Sequence, residues 1–328
     1  MASIPNISAA ELRRIITFPE LAKALQEALI GGLEPGAEAP RSVIDVTAGQ
    51  LLLMPSESLH GVGVKAVTVA PRNADLGIPR VHGSYLLFTR ETLELAAIMD
   101  GAEISVLRTP AVAMAAAEPA LTRFSGRPVA VLVFGAGPQA VGFVEALLTG
   151  AYVPVGSVTY VARQVDRART YLAGFPQLAV DDGWPNVIEA GTPRVDEAVR
   201  AADVIICVTS STTPVFNGRL VRDGAVVMAI GAHLATIREV DGDLMARAEV
   251  LVEDVATSLR EAGDVVIAVA EGKLDPAKLI PMTAVLRGER TLDPERVLVF
   301  KSVGMSWEDL VVAEAVMANY RAANGANA

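Results

Sequence analysis

The chain has 328 residues, enough for two domains and a large core. Its 38 Asp and Glu outnumber 28 Lys and Arg, for a formal net charge of -10, which argues against nucleic acid or an anionic membrane surface as a partner. Mean hydropathy is high at +0.40, yet the most apolar stretch, residues 129–148, carries Gly135, Gly137, Pro138, Gly142 and Glu145. It reads as strand, turn and helix rather than the roughly 20 apolar residues of one membrane-spanning helix.

Ser8-Ala-Ala-Glu11 has the form of a capping box and opens a short first helix. Glu11, Arg13 and Arg14 leave that helix without a long apolar core, so no signal peptide is expected and the protein is read as soluble and cytoplasmic. Pro19 suits the first turn of a second helix, 21–33, closed by Gly31-Gly32. Residues 34–41 are a loop. Short apolar runs at 51–53, 63–69 and 84–88 predict a mostly antiparallel or mixed sheet. A long helix is predicted over 106–121. After Arg127 strands at 129–134, 158–161, 204–208, 226–230 and 250–252 alternate with helices near 138–149, 164–173, 195–202 and 239–247. That rhythm is a doubly wound parallel sheet. A last helix, 307–323, is expected to pack back on the first domain, and the tail 322–328 to fray. The expected fold class is α/β: a Rossmann domain over 126–304 and a discontinuous α+β domain made of 1–125 and 305–328.

The segment from Val129 to Phe134 feeds Gly135-Ala-Gly137-Pro138-Gln139-Ala140 and then a helix. This is the dinucleotide pattern G-x-G-x-x-A. Gly135 permits the tight turn, Gly137 lets backbone approach a pyrophosphate, and Ala140 lets helix and strand pack closely. The helix N-terminus offers N–H groups to the phosphates. At the tip of the second strand an acid suits the ribose of NAD, whereas an arginine suits the 2′-phosphate of NADP. The tip here reads Ala162-Arg163-Gln164, without an acid. Arg163 therefore points to NADPH over NADH, the alternative being a solvated charge at a strand end. Cys207, the only cysteine, lies in Asp203-Val-Ile-Ile-Cys207-Val208 and reads as a small buried strand residue. One cysteine, and His60, His82 and His233 without metal-ligand spacing, predict no metal site.

Further signals flank the glycine turn. Before it come Leu53-Met54-Pro55, Gly63-Val64-Lys65, Asp100-Gly-Ala-Glu-Ile104 and Leu107-Arg108-Thr109. After it come Val208-Thr209-Ser210-Ser211, Ile230-Gly231-Ala232, Glu261-Ala-Gly-Asp264 and Phe300-Lys-Ser302-Val-Gly304. Together they resemble the ornithine cyclodeaminase/mu-crystallin family over nearly the whole chain. The resemblance implies a homodimer whose first domain carries the substrate contacts and the dimer sheet. It adds Val208, Thr209, Ser210, Gly231, Ser302 and Gly304 to the cofactor site, and implies that Arg41, Lys65 and Arg108 grip a substrate carboxylate. Lys65 and Arg108 also invite that reading on their own: each sits in an apolar segment, where a cation needs a counter-ion. The alternative is a structural acid such as Asp45 or Glu103, and for Arg41 an ordinary charge at a loop edge.

The cyclodeaminase branch carries two further acids, at the positions of Leu52 and His233 here. Without them nothing evident holds a diamino acid's side-chain ammonium. His233 follows a strand end where ligands of open α/β sheets sit and could donate a proton, or could merely line the pocket. His82 could also face the pocket. The expected activity is NADPH-dependent reduction of cyclic or linear α-imino acids, led by Δ1-pyrroline-2-carboxylate and Δ1-piperideine-2-carboxylate, giving proline and pipecolate. An amino-acid dehydrogenase or N-alkyl amino-acid synthase, an ornithine cyclodeaminase, and a non-catalytic NADPH-binding protein are the alternatives.

Overall fold

The computed structural model describes residues 4–325 and divides into two compact units, Met1–Val112 with Met305–Ala328, and Ala113–Gly304. The first unit begins with β1 (Asn6–Ile7), α1 (Ala9–Ile15) and α2 (Phe18–Ile30). Ser8 and Thr17 each close a capping box, with Glu11 and Glu20, and Pro19 lies in the first turn of α2. Then come β2 (Ser42–Val46), β3 (Gly49–Glu57), β4 (Gly61–Val69), β5 (Val81–Thr89) and β6 (Leu95–Asp100), leading into α3 (Gly101–Leu121). The strands form one sheet in the order β1-β6-β5-β4-β3-β2. All pairs are antiparallel except β1 with β6. Helix α3 starts five residues before the predicted position because the Asp100 carboxylate accepts from the Glu103 amide at 2.8 Å and caps it.

Strand β4 is central in position and in consequence. Lys65 lies opposite Met54 of β3 and Tyr85 of β5. Side chains alternate along a strand, so Gly63, Lys65 and Val67 share one buried face with Met54, Ser56, Tyr85 and Leu87. Val62, Val64, Ala66, Leu86 and Phe88 occupy the other face and are only partly buried. Strand β2 lies at the sheet edge and is exposed throughout, including Val43, Ile44 and Val46.

The second unit continues with β7 (Val129–Phe134), α4 (Pro138–Gly150), β8 (Val155–Ala162), α5 (Val165–Leu172), β9 (Val187–Glu189), α6 (Pro193–Ala201), β10 (Val204–Cys207) and β11 (Val226–Ala229). It ends with α7 (Gly242–Arg247), β12 (Glu249–Val252), α8 (Val255–Glu261), α9 (Gly263–Ala270), β13 (Ile280–Pro281), α10 (Met282–Leu286) and β14 (Leu298–Lys301). The eight strands run in the order β13-β12-β14-β11-β10-β7-β8-β9, parallel at every pairing. The central strands read as continuous apolar runs because both faces are buried: every residue of β10, β11, β12 and β14 is buried. Cys207 is fully buried, and burial pushes its thiol well above the ordinary range.

Helix α11 (Ser306–Ala323) belongs to the first unit, where it packs on α2 and on β3, β4 and β5. It covers the Lys65 face of the sheet. Of the tail expected to fray, residues 322–323 are helical and residues 326–328 lie outside the described residues. No helix among the described residues is long and apolar enough to cross a membrane.

Candidate active site

The glycine turn has the geometry its sequence demands. Gly135 sits at φ +113, and a Cβ there would come within 2.9 Å of the Val208 carbonyl oxygen. Gly137 caps α4 without any side-chain cap, and a Cβ on it would meet nothing within 4 Å. Pro138 occupies the first turn and Gln139 is half-buried. Ala140 is fully buried. The helix thus opens on a glycine cap with no side chain in the way, which fits the phosphates of a dinucleotide. Arg163 lies one residue beyond β8, exposed and followed by Gln164.

Further along the carboxyl edge of the sheet, two acids organise the loops. Glu239 is fully buried. One carboxylate oxygen accepts from the Thr209 amide at 2.6 Å and the Thr209 hydroxyl at 2.7 Å. The other accepts from the Gly231 amide at 2.6 Å and the Ala232 amide at 3.3 Å. Glu253 does the same for the loop after β14, accepting from the Ser302 hydroxyl at 2.6 Å and the Val303 amide at 3.0 Å. The Ser302 hydroxyl in turn accepts from the Gly304 amide at 3.2 Å. The side chains of Thr209 and Ser302, named in the sequence as cofactor contacts, are therefore held inward by acids and shape the loops. Val208 is half-buried, Ser210 is exposed and Gly304 is buried. Nothing in the sequence pattern marks Glu239 or Glu253. Asp264 and Lys301 lie in quoted motifs, but only the fold shows what they touch.

The first unit gathers the predicted carboxylate-binding cations. The Lys65 ammonium lies 2.7 Å from the Asp309 carboxylate and 3.0 Å from the Ser105 hydroxyl. The Arg108 guanidinium lies 2.7 Å from Glu308 and 3.4 Å from Asp309. Glu308 and Asp309 are fully buried, Lys65 is 2% exposed and Arg108 9%. This corrects the two acids weighed from the sequence. Asp45 accepts from Gln50 on the exposed edge, and Glu103 pairs with Arg13 at 2.7 Å. The structural partners come instead from the first turn of α11. Burial pulls the Lys65 ammonium down to about 8, with Asp309 opposing the shift.

The remaining candidates separate. Arg41, half-buried, immediately precedes β2. His82 is exposed and pairs in register with Thr68, one residue out of phase with Lys65. It faces the opposite side of the sheet from Lys65. Leu52 pairs with Val67 and lies on the Lys65 face, two residues from Met54. In the second unit, His233 is exposed beyond β11, its Nδ1 3.3 Å from the Gly231 carbonyl.

Glu38 joins the first-unit cluster without any forewarning in the sequence. Its carboxylate accepts from the Ser56 hydroxyl, and burial pushes its pKa up to about 7. Between its ordinary 4.5 and about 7 the folded chain holds a proton here that the unfolded chain releases. The stabilisation is full below that window and is lost as pH rises through it. Replacing Glu38 by Gln is expected to flatten this part of a melting-temperature profile. Parallel profiles for the two proteins between pH 4.5 and 7 would remove Glu38 from the titrating groups.

The ornithine cyclodeaminase/mu-crystallin family model matches residues 8–324. The chain belongs to this family. This ornithine cyclodeaminase/mu-crystallin chain is 29% identical to a Δ1-pyrroline-2-carboxylate reductase of Colwellia psychrerythraea, over 95% of the chain and 98% of the relative. Its fold is shared with a Thermococcus litoralis Δ1-pyrroline-2-carboxylate reductase solved with NADH and L-proline, at a TM-score of 0.84, 24% identity and 98% coverage of each chain. It is shared also with an archaeal alanine dehydrogenase dimer carrying NAD, at a TM-score of 0.81 and 25% identity, covering 98% of this chain and 97% of that one.

Proposed function

We propose that this chain is a cytoplasmic, homodimeric reductase that uses NADPH to reduce cyclic α-imino acids, Δ1-pyrroline-2-carboxylate and Δ1-piperideine-2-carboxylate, to proline and pipecolate. It is an NAD(P)H-dependent oxidoreductase acting on C=N bonds. The observation that carries the substrate reading is the pair of nearly buried cations, Lys65 and Arg108, gathered on one face of β4 and α3 in a chain similar to a pyrroline-2-carboxylate reductase. Leu52, on that same sheet face, supplies no carboxylate for a diamino acid's ammonium.

When bound, the nicotinamide supplies one hydride to the C=N carbon, and with one proton to nitrogen the imine becomes an amine. Arg108, Lys65 and Arg41 orient the substrate carboxylate, which converts an encounter into an oriented step. His233, exposed beyond β11, supplies the proton directly or through water. Gly135, Gly137 and the N-terminus of α4 hold the pyrophosphate, and Arg163 holds the 2′-phosphate. Residues 126–304 serve the nucleotide, while 1–125 with 305–328 serve substrate and dimerisation. The exposed apolar side chains of edge strand β2, Val43, Ile44 and Val46, suit contact with a second copy.

NADPH oxidation against a panel of imino acids, with ammonia release from ornithine measured in parallel, tests this reading. Clear turnover of pyrroline-2-carboxylate and little ammonia are expected, with kcat/KM higher for NADPH than for NADH. Replacing Arg163 by Ala should narrow that cofactor ratio. Efficient ornithine turnover overturns the choice of reaction, and equal use of both cofactors by the unmodified protein overturns the role of Arg163.

A further inference from the structure

Below the loops at the carboxyl edge of the parallel sheet lies a buried ionic cluster with unequal signs. Glu239, Asp264 and Lys301 are all fully buried. The Lys301 ammonium, on the last residue of β14, lies 2.8 Å from one oxygen of Asp264 and donates to the Ala232 carbonyl. The other oxygen of Asp264 accepts from the amides of Glu239 at 2.7 Å and Val240 at 2.9 Å. Glu239 accepts in turn from Thr209 and from Gly231 and Ala232. The cluster holds two carboxylates and one ammonium, and the ammonium pairs directly with Asp264.

The bonding pattern identifies the charged form of Glu239. Three of its four partners are backbone N–H groups, which only donate, and the fourth is a hydroxyl able to donate. A cage of donors favours the carboxylate. Burial works the other way and raises its pKa, with Lys301 and Thr209 opposing the rise. The neighbouring Cys207 thiol is raised by burial, with Glu239 and Asp264 raising it further and Lys301 lowering it. A buried excess charge is costly in isolation. This one underlies Thr209 and Gly231, which follow β10 and β11 at the end of an open α/β sheet where ligands bind.

We propose that the Glu239–Asp264–Lys301 cluster is an electrostatic bias on the bound nicotinamide, its net negative charge favouring the oxidised cationic ring over the neutral reduced one. The proposal rests on the nucleotide reading above. Its consequence is directional: loss of a hydride creates positive charge on the ring, and a fixed negative charge beneath the loops favours that change. Glu239 is then a positioning residue for both loops and the source of the bias.

Fluorescence titration without substrate separates this from a purely structural role. The unmodified protein is expected to bind NADP+ at least as tightly as NADPH. Glu239→Gln keeps the shape and removes one charge. It should raise the ratio of the NADP+ to the NADPH dissociation constant by roughly 5- to 30-fold, the scale for a unit charge about 8–17 Å away at an effective dielectric near 20. Asp264→Asn removes the same unit of charge and should move the ratio in the same direction, which serves if Glu239→Gln does not fold. Equal weakening of both nucleotides, or a wild-type protein that binds NADPH much more tightly than NADP+, overturns the bias. Failure of the wild-type protein to bind either nucleotide overturns the nucleotide reading itself, and the bias with it.

Discussion

Replacing Asp309 by Ala is expected to destabilise the protein by about 3–5 kcal/mol, the range for removing one partner of a buried ion pair. Asp309 is fully buried and touches both Lys65 and Arg108. The Lys65 ammonium is already pulled down to about 8, so without Asp309 it escapes part of the penalty by releasing its proton. The loss is therefore larger at pH 6 than at pH 9. Urea denaturation at the two pH values measures it. A combined Lys65→Met and Asp309→Leu variant should recover much of the stability, since apolar replacement of a buried pair is often neutral or favourable. A loss below about 1 kcal/mol for Asp309→Ala would mean that Ser105 and Glu308 rearrange to hold the lysine.

Replacing Arg108 by Ala should lower kcat/KM for a cyclic imino acid roughly 10- to 150-fold, equivalent to the 1.5–3 kcal/mol of a charge-assisted hydrogen bond. The same change strands the buried Glu308, which the guanidinium meets at 2.7 Å, so stability falls as well. Arg108→Lys separates the two effects. It keeps a charge for Glu308 but lacks the planar fork that matches a carboxylate. A smaller stability loss with most of the kinetic loss retained supports the substrate clamp. A folded variant with near-wild-type kcat/KM would leave Arg108 as the structural partner of Glu308 alone.

What could be read in advance follows the range of the interaction. The glycine turn, the Ser8 capping box and the central strands are local: a few adjacent residues fix φ, a cap or a buried run. The start of α3 is equally local, since Asp100 stands three residues before Glu103, whereas the apolar pattern by itself points to 106. Strands β9 and β13 and helix α10 are short, leaving too little pattern for a period to show. The face of His82 required the register of β5 against β4. The partners of Lys65 and Arg108 were beyond reach of any window, lying 244 and 200 positions away. The cage around Glu239 unites residues from two loops, each unremarkable alone.

The long span between Lys65 and Asp309 has a consequence for synthesis. The sheet holding Lys65 and the helix holding Arg108 emerge from the ribosome well before residues 306–323. Until then both cations lack the acids that neutralise them in the finished structure, and the sheet face beneath α11 has no cover. The first unit cannot complete its core while the chain is still growing through the second. Domain-by-domain folding during translation therefore applies here in inverted order: the nucleotide unit, continuous in sequence, can form first, and the unit that begins the chain is sealed last.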